Sequence, residues 1–509
     1  MSIPPNVSPE AFNAALTTWR EAVGSEWVFA ADEDVALYRD AYSPFYGEPE
    51  ERLASAAVAP STLEQVQAVV RAANRHRIPL YPISTGRNLA YGGSAPVYSG
   101  SVVLDLKRMN RVLEVNERNA YALVEPGVSY FDLYQHIQNA KLDVWIDPPD
   151  PGWGSVIGNA LDGGGGWTAY PFRDHFAAHC GMEVVLANGD VVRTGMGALP
   201  SSKSWQHSRW GYGPWVDGLF RQSNFGVVTK MGFYLMPRPE ALISATVTAA
   251  RDADIVPLLD VLNLLENQHV VNGSTQIFGG PNRPAANSPT WTIQVPIYGP
   301  EQVVRAQMTY AKAKFTAIPG VTFVEGELFR TPLSAEAQAR VRLVNFGIPN
   351  LSTFAMLGRS AVNPEPAGGH IGFSPIVPRT GETLLEFKRF YNDNVPKVTG
   401  GENLGIVGPV YMTCWERTLV CLIMFPIGRD TATNAKMRRA FELLVKLAAE
   451  RGWAEYRAPA VFQDLVADTY SYNNHSLRRL RETIKDAVDP NGILSAGRYG
   501  VWPKHLRKV

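Results

Sequence analysis

Three cysteines in 509 residues, Cys180, Cys414 and Cys421, are too few and too scattered for a disulfide framework. They also lack the spacing of metal ligands, so no metal site is expected from them. Buried, reduced thiols are the expectation, and with them a reducing, cytoplasmic location. An excess of charge of one sign is missing too. Lys+Arg and Asp+Glu both number 48, so the formal net charge is zero. That argues against nucleic acid as a general electrostatic partner. Long apolar runs are absent. The longest, Leu419 to Ile427, falls far short of the ~20 residues needed to cross a bilayer, so no membrane partner is expected. Met1-Ser-Ile-Pro-Pro has neither a basic nor an apolar signal region. The terminal Leu-Arg-Lys-Val is not a peroxisomal address.

What is present points to a large, turn-rich globule. At ~150 residues per domain the length predicts two to four domains or lobes, able to bury a core without staples. The 44 glycines and 37 prolines sit in clusters, which implies tight turns and close backbone approaches. Twelve Trp, 20 Tyr and 21 Phe make an aromatic-rich interior or pocket the expectation.

The pattern is mixed helix and strand. Leu63, Val66, Val70 and Ala73 fall at helical spacing, so 62–77 reads as a helix with Ser61 and Thr62 as cap candidates. Strands are predicted at 78–83, 101–106, 121–125 and 224–235, and a helix at 130–139. Strands 182–186 and 191–194 flank Asn188-Gly189, a hairpin signal. Pro237 and Pro239 mark a boundary. Beyond it, helices are expected at 254–267, 301–315, 382–394 and 432–451. Strands are expected at 291–297, 321–325, 370–375, 404–412 and 419–425. A last helix, 476–487, runs into a turn.

Several residues could carry chemistry. Ser84-Thr-Gly-Arg-Asn88, Gly152 to Gly158 and Gly163 to Gly166 are glycine-rich loops in which backbone amides could approach a phosphate. None fits a dinucleotide fingerprint or a phosphate-binding loop, and each alone reads first as a plain loop, but three together point to an extended phosphate-bearing cofactor. His175 and His179 stand four apart, as metal ligands on one helix face would, but lack the neighbouring Glu; structural histidines are the simpler reading. His370 sits among small residues in Gly368-Gly-His-Ile-Gly-Phe-Ser-Pro375. Tyr456 beside Arg457 could hold an anion or end a surface helix. Asp150, set between prolines, could be a turn former or a rigid base.

The order of these segments resembles the vanillyl-alcohol oxidase and eugenol oxidase family over nearly the whole chain. The similar stretches are Tyr81 to Gly93, Asn110 to Asn116, Val124 to Val128, Gly152 to Ser155 and Arg193 to Pro200. Gln222 to Lys230, the His370 block and Asp489 to Ile493 complete the set. The resemblance implies an α+β, two-lobed flavin-binding fold. Residues 1–240 would form the FAD-binding domain, 241–457 an α/β substrate cap, and 458–509 a segment returning to the first domain.

The resemblance also implies roles. His370 matches the histidine that carries FAD covalently. Tyr91, Tyr456 and Arg457 match the trio that binds a phenol as phenolate, and Asp150 the carboxylate near the reacting centre. Ser84, Thr85, Gly86, Arg87 and Asn88 match FAD contacts. So do Pro149, Gly152, Gly154, Ser155, Gly158 and Asn159, together with Gly226, Val228 and Arg498. The implied partners are a 4-substituted phenol and O2, reduced to H2O2, in a homodimer without metal. The family's Arg-Gly-Val-Gly-Tyr-Thr-Pro appears here as Gly163-Gly-Gly-Gly-Trp-Thr-Ala169. With Gly372, those glycines predict a roomier pocket wall. A histidine that assists flavin attachment in the fungal member has no counterpart near Tyr42 to Tyr46.

Overall fold

The computed structural model describes residues 3–279, 290–352, 368–413, 415 and 417–507. Cys414 lies outside them, as does 353–367. Cys180 and Cys421 are buried free thiols.

The first lobe grows from a parallel pairing. Val102–Asp105 is buried at all four positions and pairs in parallel with Leu80–Ile83 and Ala57–Val58. Such continuous apolar runs suit strands covered on both faces. Helix Leu63–His76 starts where Thr62 Oγ1 accepts from the Gln65 amide at 3.3 Å, and it buries Val66, Val69, Val70 and Ala73. The N-terminal helix Pro9–Val23 packs against it through Phe12, Leu16 and Trp19. The sequence reading does not anticipate this helix. Each such apolar side chain, fully buried, contributes about 1.5–3 kcal/mol.

A second, antiparallel sheet of five strands has the order Val112–Asn116, Tyr121–Val124, Val227–Tyr234, His179–Val185, Val191–Arg193. Its last hairpin turns at Asn188-Gly189, but only Gly189 takes a positive φ, 85°. Asn188 instead turns its Oδ1 to the Asp190 amide at 2.9 Å.

The cap is a sheet of nine strands among the described residues. Ala241–Ala249 pairs with Trp291–Gly299 on one side and Thr322–Arg330 on the other. The sequence reading misses this strand because its alternation runs through alanine and threonine. Helices Ile255–Asn267, Glu301–Thr316, Gly381–Val398 and Thr431–Ala449 supply buried residues to the cap's core. Residues beyond the cap return to the first lobe. The Leu80 amide donates to Ile493 O at 2.6 Å, and the Ser495 amide to Leu80 O at 2.7 Å.

That return hangs on one buried ammonium. Lys485 Nζ donates to Asn224 O at 2.8 Å, Leu494 O at 2.7 Å and Asp489 Oδ2 at 2.7 Å. Burial pulls its pKa down, opposed by Asp489. Lys485→Met leaves the Asp489 carboxylate buried without its cation, a loss of ~3–5 kcal/mol for such pairs. A clear drop in melting temperature is expected by calorimetry; a change within about one degree contradicts the assignment.

Candidate active site

A cavity of about 940 Å³ opens between the first lobe and the cap sheet. That is at the upper end of the ~300–1,000 Å³ usual for small-molecule sites. On the first lobe it is lined by Ser84, Thr85, Gly86, Arg87 and Asn88, and by Tyr91 just beyond them. Pro149, Asp150, Gly154, Ser155, Gly158, Asn159, Gly226 and Val228 continue that wall. His370, Tyr456, Arg457 and Arg498 complete the set expected from sequence. Gly152 is the exception. Its amide donates to Asn350 O at 3.0 Å, and a Cβ there would stand 2.8 Å from Pro349 and 2.9 Å from Phe131. It serves packing behind the wall.

The glycine loops are built to touch. Ser155 Oγ accepts from the Gly158 amide at 3.0 Å and donates to Pro126 O at 2.6 Å, which starts the short helix Val156–Leu161. A Cβ on Gly158 would collide with Ser84 Oγ, so only glycine lets the two loops meet here. A cleft bounded by close-set backbone, with an imidazole elsewhere on its wall, fits a flavin dinucleotide. The two glycine loops would hold its phosphate-bearing part and His370 would face its ring.

The phenol-binding trio expected from sequence comes together. The Arg457 guanidinium lies 3.8 Å over the Tyr91 ring. Tyr456 packs edge-on against Trp415, centroids 4.8 Å apart. Behind them stands a residue the sequence reading overlooks. Buried Asp162 accepts from Arg457 Nε at 2.8 Å, Asn88 Nδ2 at 2.9 Å and Tyr499 Oη at 2.8 Å, and it pairs with Arg498. Burial pushes its carboxyl up, but the Arg498 and Arg457 cations outweigh this and hold it below the usual range. Burial likewise raises the Tyr91 phenol, and Arg457 pulls it back. Two guanidiniums sharing one carboxylate leave one positive charge in excess.

Asp150 faces another cation. Burial lowers the pKa of Arg342 and the Asp150 charge raises it, while its guanidinium stacks 3.7 Å over Trp167. Arg342 and Trp167 both line the cavity. On the opposite side, His370 lies on strand Gly369–Phe373 with the Tyr42 ring 5.5 Å away. A Cβ on Gly369 would run into that ring. An aromatic ring therefore occupies the neighbourhood where an assisting histidine is missing.

The roomier wall expected at Gly163 to Gly166 is corrected at three of its four glycines. A Cβ at Gly163 would stand 2.6 Å from Arg221, one at Gly164 would strike Asn159, and one at Gly166 would strike Asp147. At these three positions the missing side chains admit polar groups rather than open space, while Gly165 lines the cavity. Gly372 does line the cavity, where a Cβ would stand 3.2 Å from Tyr91 Oη. His175 and His179 share no helix face. His175 contacts Asn159 at 2.5 Å and Asp147 at 3.2 Å; His179 reaches Asp217 at 3.0 Å. Tyr456 and Arg457 follow the short strand Ala454–Glu455, not a helix.

Residues 54–195 match the family described as FAD binding domain. Fold and site together define an FAD-dependent oxidoreductase. The flavoprotein subunit of 4-cresol dehydrogenase (hydroxylating) from Pseudomonas putida is 33% identical, over 98% of this chain and 97% of that one. The 4-ethylphenol oxidase of Gulosibacter chungangensis, solved with isoeugenol, superposes with a TM-score of 0.87 at 34% identity, covering 99% and 100% of the two chains. A p-cresol methylhydroxylase solved with substrate gives 0.85 at 31% identity, covering 98% and 99%. With relatives this similar over its whole length, the chain belongs to the vanillyl-alcohol oxidase family of FAD-linked enzymes.

One carboxyl next to Tyr42 carries a pH dependence. Burial pushes buried Asp40 up to about 6; the Tyr42 amide, which donates to it at 3.0 Å, and Arg429 pull the other way. The unfolded value is ~3.9. Between these values the folded chain holds a proton that the unfolded chain has lost, so this group's contribution falls as pH rises through the window. Asp40→Asn should raise the melting temperature at pH ~7.5, by an amount worth up to about 3 kcal/mol, and the gain should vanish near pH ~4. Scanning fluorimetry at both pH values checks this; an equal shift at each refutes it.

Proposed function

We propose that the protein oxidises 4-substituted phenols at the carbon attached para to the hydroxyl, with FAD joined to His370 and oxygen as final acceptor. The carrying observation is the Tyr91, Tyr456 and Arg457 grouping, with its excess positive charge, in one cavity with His370. The cation and two tyrosine hydroxyls favour the ionised substrate and lower its pKa on binding. The phenolate then pushes electron density to the para position, so hydride loss from the attached carbon leaves a quinone methide. FAD, when bound, supplies the two-electron acceptor and returns the electrons to oxygen as H2O2. Asp150 activates the water that adds to the quinone methide of an alkyl or allyl phenol. A benzylic alcohol collapses to the aldehyde instead. Val410, Met412, Leu422 and Met424 give the cap side of the cavity an apolar lining that keeps bulk water from the reacting carbon.

A second reading, electron transfer to a cytochrome or other acceptor, draws support from the name of the Pseudomonas putida relative. Mixing phenol-reduced enzyme with oxygen in a stopped-flow instrument separates the two. Rapid reoxidation with one peroxide per phenol is expected; slow reoxidation that an artificial acceptor accelerates favours the second. A panel of 4-alkylphenols, vanillyl-type alcohols and oligosaccharides should yield peroxide from the phenols alone. On acid denaturation the wild-type pellet should stay yellow, and the His370→Ala pellet should be colourless. Flavin free in the wild-type supernatant rules out the covalent link.

A further inference from the structure

The phenol reading leaves open what makes Arg457 stand where a phenolate meets it. Arg457 follows a two-residue strand in an irregular segment, so its own backbone element does little to fix a long side chain. Its guanidinium offers five N–H groups. Nε donates to Asp162 Oδ2, and Nη2 donates to Asn88 Oδ1 at 2.5 Å. Asn88 is in turn oriented by Asp162, whose Oδ2 accepts from its Nδ2. The Tyr91 ring closes one face of the guanidinium. Among the described residues, both Nη1 hydrogens stay uncommitted.

We propose that Asp162 is the positioning residue for phenolate capture. It clamps the Nε edge of Arg457 directly and the Nη2 nitrogen through Asn88, and so presents Nη1 to the substrate oxygen. The proposal rests on the phenol reading above. Asp162 does not touch substrate; it acts through Arg457.

Charge alone predicts the opposite role. Removing a carboxylate from a site already one charge positive strengthens its pull on an anion. Geometry argues that loosening wins. An amide at position 162 faces two buried guanidiniums with no counter-charge, and its NH2 group repels one of them. Arg498 keeps a second hold, donating from Nη1 to Tyr81 Oη at 2.7 Å. In the plane of its guanidinium Arg457 keeps only Asn88, whose own orientation has lost its anchor, and the Tyr91 ring on its face does not fix where Nη1 points. Arg457 is therefore the cation that moves.

The test uses the flavin-loaded enzyme and 4-fluorophenol as a probe, read by the fluorine chemical shift across a pH series. Wild type should bind the probe as phenolate at pH values well below its ionisation in water; failure of that result refutes the phenol reading itself. In Asp162→Asn the midpoint for ionisation of the bound probe should rise by about one pH unit or more. Its affinity at neutral pH should fall roughly tenfold, against the sign expected from charge. An unchanged midpoint, or tighter phenolate binding, overturns the proposal. Asn88→Ala removes the second anchor and keeps every charge. It should shift the midpoint in the same direction by a smaller amount, and no shift at wild-type flavin content also overturns the proposal. If Asp162→Asn fails to retain FAD, the Asn88→Ala result decides.

Discussion

Taking a carboxylate out of water costs several kcal/mol unless cations replace the lost hydration. Asp162 meets that demand with Arg457 and Arg498, which are 295 and 336 residues away along the chain. The arrangement ties three parts of the chain to one point: a glycine-rich turn of the first lobe, the end of the cap, and the returning tail. Gln222 adds a fourth, with its amide nitrogen on Tyr456 O at 2.8 Å, Tyr499 Oη at 3.1 Å and Asp162 O at 3.2 Å. The shape of the cavity floor follows from satisfying one buried charge.

Other polar contacts fix how far apart the two walls stand. Arg438 pairs with Glu48, and Arg429 donates to Ala41 O at 3.1 Å, so the segment carrying Tyr42 is tied to the cap beside His370. Arg173 reaches from the first lobe to Gly273 O at 2.6 Å and to Glu266, which Arg379 also engages. Arg173, Glu266 and Arg379 are buried, and Arg438 and Glu48 are half-buried, so sliding one wall past the other would strand charges in a low dielectric. The apolar core of the cap supplies bulk stability; the ion pairs supply alignment.

Local patterns made much of the fold legible. The 3.6-residue spacing of Leu63, Val66, Val70 and Ala73 marks its helix, and Asn188-Gly189 marks its hairpin, because both signals are set by neighbours in sequence. His370, Arg457 and the loop Ser84 to Asn88 were found through their resemblance to a family, and the cavity gathers them. Asp162 escaped both routes. A single aspartate before a glycine run looks like a loop residue, and the arginines that give it meaning lie hundreds of positions away. The glycines at 163, 164 and 166 misled for the same reason. Sequence shows a side chain that is missing, not the Asn159 or Asp147 that moves in to fill the gap. Strand Ala241–Ala249 was hidden because alanine alternates weakly in hydropathy, and its partner strands, Trp291–Gly299 and Thr322–Arg330, lie far along the chain.

The return of the tail to Leu80 has a consequence in time. Ser495 and Arg498 line the cavity, and Ile493 and Leu494 complete the core beneath the first parallel strands. A growing chain emerges from the ribosome with its glycine loops made early and their closing wall made last. Until residue 498 is free, Asp162 has one cation instead of two and the cavity lacks part of its lining. The early lobe must therefore wait as an unfinished cup while the cap folds. Cofactor enclosure belongs to the completed chain, which protects a reactive group from being held in a site still open to water.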